Sequence, residues 1–170
     1  MGILHRDIKP ENIIARDDNS VTITDFGICR TLNSDLTITR EIMGSPAYMS
    51  PESFDSAKNL DRRSDIFSLG VVSYELLTGA KPFHGQTVFQ ILDAIREKKP
   101  LSPLKVNPAL PSWVQDFLAK MINKNPDSRF SSASQVMKAI EYFTSERQPV
   151  STGITTKILR GLLSFESVWS

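Results

Sequence analysis

The stretch His5-Arg6-Asp7-Ile8-Lys9-Pro10-Glu11-Asn12 is followed, thirteen residues after Asn12, by Asp25-Phe26-Gly27. Between them lie two β-prone runs, Ile13-Ile14-Ala15 and Val21-Thr22-Ile23-Thr24. The intervening Arg16-Asp17-Asp18-Asn19-Ser20 is turn chemistry, so residues 13–24 read as a short hairpin. Residues 25–52 hold no sustained period and contain Gly27, Gly44, Pro46 and Pro51. They read as a long loop, and long loops inside compact domains are usually functional.

Beyond that loop the signals turn helical. Ser64-Asp65 reads as the cap of a run through Thr78, closed by Gly79 and Pro82. Its apolar residues Ile66, Phe67, Leu69, Val71, Val72, Leu76 and Leu77 surround most of the helix, which belongs in the middle of a core. Further helices fit 86–97, 112–122 and 132–143, with Ser112 opening the second of these. Residues 98–111 carry four prolines and read as a loop. The fold class is mostly α with one small β-hairpin.

Composition narrows the function. Lys plus Arg is 20 against 19 Asp plus Glu, a formal net charge of +1, which gives no support to nucleic-acid binding. The single cysteine, Cys29, excludes an internal disulfide or a cysteine-based zinc site and suits a reducing compartment. Nothing at Met1–Leu4 reads as a signal peptide, and no uncharged apolar run approaches the roughly 20 residues of a membrane span. A cytoplasmic location is expected.

The segment 5–12 resembles the catalytic loop of protein kinases, in its serine/threonine form with a lysine two residues after the aspartate. Asp25-Phe26-Gly27 resembles the family's metal-binding triplet. Gly44-Ser45-Pro46-Ala47-Tyr48-Met49-Ser50-Pro51-Glu52 resembles the end of its activation segment, and Asp65-Ile66-Phe67-Ser68-Leu69-Gly70 the start of its central helix. Arg129 lies where the family places a late buried arginine. These motifs in one register resemble the C-terminal lobe of a eukaryotic-like, bacterial-type serine/threonine kinase over residues 1–143, leaving 144–170 as a tail or linker.

What the resemblance implies is phosphoryl transfer from ATP to Ser or Thr hydroxyls of proteins. That chemistry leaves the protein mainly positioning and charge compensation. By resemblance Asp7 accepts the hydroxyl proton and Lys9 neutralises charge on the transferred group. Asn12 and Asp25 hold Mg²⁺, a hard ion that shares its shell with nucleotide phosphates. Ile14, with Val72 and Leu76 beneath, floors the adenine site. His5 and Phe26 form two stacked apolar members of the regulatory spine. Asp65 fixes the catalytic-loop backbone or serves as a helix cap, and both can hold. Glu52 and Arg129 form a buried ion pair that anchors the activation segment. Taken singly, Asp7, Asn12 and Asp25 would also serve as turn formers.

Regulation is implied in the same way. Arg6 before the catalytic aspartate, with Arg30 as second basic partner, would receive a phosphate on the loop, with Thr37 and Thr39 as candidate acceptors. Solvated loop threonines are the plain alternative. Ser45 replaces a usual threonine, keeping a hydroxyl for Asp7 and Lys9. His84 reads as a surface loop residue and Cys29 as packing.

The family's glycine-rich loop, strand lysine and helix glutamate would lie upstream of Met1, as would two lower-lobe helices. The N-lobe is therefore a required partner, in cis or in trans. This chain alone is expected to be inactive and to expose a large apolar face on the helix from Ser64. A non-catalytic, kinase-like binding module is the alternative. In the tail, Ile154, Ile158, Leu162 and Phe165 recur at helical spacing, and packing on the lobe is preferred to membrane contact.

Overall fold

Residues 4–17, 20–25, 46–54 and 60–146 are described by the computed structural model. The hairpin forms from β1 (Ile13–Ala15) and β2 (Val21–Ile23), antiparallel, with Ile14 opposite Thr22. β-branched residues dominate both strands, and Arg16 N–H donates to the Ser20 carbonyl across the turn (2.9 Å). A short 3₁₀ turn, Pro10–Asn12, delivers the chain into β1, with proline at its first position where no donor is needed.

The remainder is helical. α1 spans Arg62–Thr78, α2 Val88–Glu97, α3 Pro103–Val106, α4 Trp113–Met121 and α5 Ala133–Glu146. Two 3₁₀ turns, Pro46–Tyr48 and Pro51–Phe54, pack against α1 and α2. The central helix begins earlier than its sequence suggests. Asp61 is the cap, accepting from Arg63 N–H at 2.8 Å, because Ser64 and Asp65 turn their side chains to other partners. Its end agrees with the sequence: Gly79 takes φ +73° and its N–H bonds to the Glu75 carbonyl.

α1 is the axis of the core. Phe67 and Val71 are fully buried, Val72 nearly so, and α3 and α4 pack along the helix. Gly70 permits the approach of α4. A Cβ there would lie 2.7 Å from the Met121 Cβ and 2.8 Å from the Ile122 Cγ2. Aromatic side chains complete the packing: Trp113 stacks on Phe143 of α5 at 5.0 Å, and Phe117 leans on Phe130 at 5.6 Å.

Two expectations are corrected. The open apolar face expected on α1 reduces, among the described residues, to Leu76 (50% exposed), since α3, α4 and the turn at Pro46–Tyr48 enclose the helix. The proline-rich segment 98–111 is not all loop. Pro103 opens the short α3, where its missing N–H costs nothing. Side chains staple this segment down: Tyr74 Oη donates to the Leu101 carbonyl (2.9 Å) and Asn107 Nδ2 to the Leu77 carbonyl (3.0 Å). No helix among the described residues is long and apolar enough to cross a membrane.

Candidate functional site

The loop before β1 turns sharply at Arg6, whose φ is +65°. A left-handed non-glycine residue costs of order 1–3 kcal/mol and persists only when its surroundings hold it. Asp65 does the holding. Its Oδ2 accepts the His5 N–H and its Oδ1 the Arg6 N–H, both at 2.9 Å. One carboxylate on the rigid first turn of α1 thus fixes two consecutive peptides sixty residues away. Burial pushes the Asp65 carboxyl up from its ordinary range, and these two N–H groups oppose that push without overcoming it.

Asp7 follows the fixed peptides, and its side chain is held from two sides. Asn12 Nδ2 donates to the Asp7 carbonyl at 2.8 Å and to its Oδ2 at 3.1 Å, while Lys9 Nζ stands 2.9 Å from the same oxygen. With its Nδ2 committed to Asp7, Asn12 presents the amide carbonyl oxygen as its remaining acceptor. Asp7, Lys9 and Asn12 therefore form one polar cluster, built by the Pro10–Asn12 turn that reverses the chain between them.

Thr24 joins this cluster to Asp25. Its N–H donates to the Asn12 carbonyl (2.9 Å), and its carbonyl meets Nε2 of His5 (2.9 Å). The other ring nitrogen, Nδ1, accepts from Asp7 N–H at 3.3 Å. His5 is buried and both of its ring nitrogens carry polar contacts, while Phe26, its expected stacking neighbour, lies outside the described residues. Asp25, next in chain, has φ +56° and is exposed. Its carboxylate and the Asn12 amide oxygen are hard oxygen donors at adjoining points of the backbone, a set that suits Mg²⁺ and would not suit a softer ion.

A second cluster lies behind the first. The Arg129 side chain is fully buried over the Phe67 ring. All five of its N–H donors are used: Nε to the Asn123 carbonyl, Nη1 to Glu52 Oε1 (2.6 Å) and the Arg63 carbonyl, Nη2 to Glu52 Oε2 (2.8 Å) and the Lys124 carbonyl. Ser64 Oγ adds a third donor to Glu52 at 2.7 Å. Burial pushes the Glu52 carboxyl up, but Arg129 and Ser64 outweigh it and leave the carboxyl below its ordinary range. Tyr48, on the same segment, donates to Glu75 Oε2 at 2.7 Å, and burial with that carboxylate drives its phenol upward.

Of the remaining residues singled out in the sequence, Ile14 is half-exposed on β1, as is Leu76 on α1, whereas Val72 is buried. His84 is exposed. Arg6 is exposed, beside Asp7. Phe26, Cys29, Arg30, Thr37, Thr39, Ser45 and the tail segment 154–165 lie outside the described residues. The backbone role of Thr24, the bond of Ser64 to Glu52 and the Tyr48–Glu75 pair escaped the sequence reading. Thr24 and Ser64 each stand one residue before an aspartate that was read, which is the signal that could have found them. Asp7 and Lys9, with side chains only 19% and 20% exposed, help line a cavity of about 60 Å³ together with Tyr48, Ser64 and Asp65.

Comparison with known proteins gives a consistent result. Residues 1–143 match the family model described as protein kinase domain. The chain is 35% identical over 141 residues to a probable serine/threonine-protein kinase of Clostridium perfringens, covering 82% of this chain and 20% of that protein. It is 36% identical over 138 residues to the serine/threonine-protein kinase PknB of Mycolicibacterium smegmatis (79% and 22%). To PknB of Mycobacterium leprae it is 32% identical over 164 residues (95% and 26%). The chain thus spans about a fifth to a quarter of the length of these relatives.

Proposed function

Since the chain belongs to the protein kinase domain family, we propose that it supplies the lower, catalytic half of a cytoplasmic serine/threonine kinase site. The observation that carries this reading is the Asp7–Lys9–Asn12 cluster, held on a strained backbone that Asp65 fixes from α1. In such a site Asp7 accepts the proton of a protein Ser or Thr hydroxyl, with its carboxylate orientation set by Asn12. Lys9, already beside Asp7, offers its ammonium to the transferred phosphoryl group. Asn12 and Asp25 are the residues that hold Mg²⁺, and bound Mg·ATP supplies the γ-phosphoryl group.

Ile14 forms the lower face for adenine, and an upper lobe, in the same chain or another, closes the cleft. Arg6 and Arg30 receive a phosphate on Thr37 or Thr39, which orders the activation segment and sets Ser45 near the substrate hydroxyl. Glu52 and Arg129 tie down the end of that segment. Joined to an upstream segment bearing a glycine-rich loop and strand lysine, the chain is expected to transfer phosphate from Mg·ATP to a Ser/Thr protein substrate. Asp7→Asn lowers kcat roughly 10²–10⁴-fold while ATP still binds. A joined, folded protein that binds Mg·ATP but transfers nothing to protein substrates or to itself would overturn the reading.

A further inference from the structure

A cavity of about 580 Å³ lies between the end of α2, the proline-rich segment and α4, and shares no residue with the Asp7–Lys9–Asn12 cluster. Its size falls within the ~300–1,000 Å³ of ligand sites. The walls are fixed from within the fold. Tyr74 Oη donates to the Leu101 carbonyl (2.9 Å) and Ser102 Oγ to Gln115 Oε1. The Lys124 ammonium donates to the carbonyls of Ile95 and Ala94 (3.4 Å) and lies over the Phe83 ring, so its charge is already placed.

Two features of the lining stand open. Leu101 is 56% exposed and Ala119 is exposed, continuing the apolar surface of Leu118 and Ile122 deeper in the cavity. Glu97 and Asp116 are exposed and enter no ion pair among the described residues. A hollow with an apolar lining and two open carboxylates suits an amphipathic segment with basic residues beside its apolar stripe. Residues 154–165 have that pattern, with Lys157 and Arg160 beside Ile154, Ile158, Leu162 and Phe165. A stripe of about twelve residues is marginal alone in water and calls for a surface.

We propose that residues 154–165 dock into this cavity of the same chain, apolar stripe inward and Lys157 and Arg160 toward Glu97 and Asp116. The inference stands independently of the phosphoryl-transfer reading. Its reach is set by the fold. Phe143 stacks on Trp113, the first residue of α4, and α5 ends one turn later at Glu146. From there α4 runs along the cavity for about 14 Å. The eight residues from Glu146 to Ile154 span up to about 27 Å. A tether of that length also holds the segment at high effective concentration, so modest contacts suffice. The competing apolar surface, exposed Tyr142 edge-on to Phe143, sets the base Lys138 beside its one acid, Glu141.

The test is carbodiimide coupling of the full chain, which joins a lysine amine to a carboxylate in contact with it. Products are read by peptide mass spectrometry on an equal mixture of isotopically labelled and unlabelled protein. Lys157 joined to Glu97 or Asp116 within one chain, at about tenfold the yield of Lys157 joined to Glu141, is expected. Glu141 as the main partner places the segment on α5, and label-mixed products place it on a second copy; either overturns the proposal. The absence of any Lys157 product at Glu97 or Asp116, as for a segment held by lipid or solvent, overturns it too. Hydrogen exchange gives a second readout in the full chain carrying Lys157→Glu and Arg160→Glu. Exchange at the Leu101 and Ser102 amides should rise roughly tenfold while that at buried Val114 stays unchanged. Unchanged exchange at Leu101 and Ser102 refutes the docking.

Discussion

Replacing Glu52 by glutamine changes one oxygen to an amide nitrogen and leaves the volume almost unaltered. The native carboxylate accepts from Ser64 Oγ and from both Nη groups of Arg129. Glutamine can keep one guanidinium bond through its oxygen, but its NH₂ must then face the other Nη, donor against donor. Hydrogen bonds to charged groups are worth roughly 1.5–3 kcal/mol each. One is lost outright and one is weakened, so about 3 kcal/mol is expected, the low end of the ~3–5 kcal/mol for deleting a partner of a buried pair. With a urea m-value of about 2 kcal/mol/M, the midpoint should fall by about 1.5 M at unchanged slope. The pH dependence gives an independent check. Glu52 sits below its ordinary value of 4.5 in the fold, so the unfolded chain binds its proton more readily. Its contribution is present above about pH 4.5 and is lost as pH falls through the lowered value. Glu52→Gln should therefore flatten the acid limb of the stability curve. In a cycle with Arg129→Met the two losses should fall short of additive by at least ~1 kcal/mol. Additive losses with an unchanged acid limb would show a solvated pair, and the reasoning from five satisfied donors would be wrong.

Asp65→Asn leaves one acceptor for the two N–H groups of His5 and Arg6, so the strained peptide at Arg6 should relax. In the joined kinase, kcat should fall by roughly 10²-fold with the KM for ATP nearly unchanged, and steady-state kinetics that show only a KM effect would contradict this. Gly70→Ala forces a methyl group against Met121 and Ile122 and should cost about 2–3 kcal/mol by urea unfolding. Gly79→Ala meets no atom within 4 Å and suffers only its positive φ, a cost of about 1 kcal/mol. Equal losses at the two glycines would mean that α1 and α4 are less closely packed than described.

Much of this architecture is legible in the amino-acid sequence. The hairpin was legible because β-branched runs flank a polar turn, and the end of α1 because Gly79 can adopt the left-handed conformation. The start of α1 was misread because Ser64 and Asp65 have the chemistry of caps. Their side chains are instead taken by Glu52 and by the loop at residues 5–6, long-range partners to which local capping rules are blind. α3 was lost among prolines for a related reason: its stability lies in the bonds from Tyr74 and Asn107 around it more than in its own four residues. At the site, motif register paired Glu52 with Arg129, but the number of donors on that pair could not be read from it. Three of the five acceptors are main-chain carbonyls, which have no side-chain signature. The role of Thr24 is likewise written in its backbone, where residue identity is silent.

The reach of Arg129 also bears on the order of folding. It draws together residue 52, residue 63 and residues 123–124, with the Glu52 contact spanning 77 positions in sequence. Bringing such distant points together costs loop entropy that only a largely assembled chain can offset. α1 and α4 can form from local contacts, so the guanidinium is expected to complete its set of partners after the folding barrier, and Arg129→Met should then speed unfolding at an unchanged refolding rate. Interactions absent from the transition state govern how fast the native protein opens and not how fast it forms. The arginine is then a latch on lifetime: it slows escape from the native state while leaving the rate of arrival untouched.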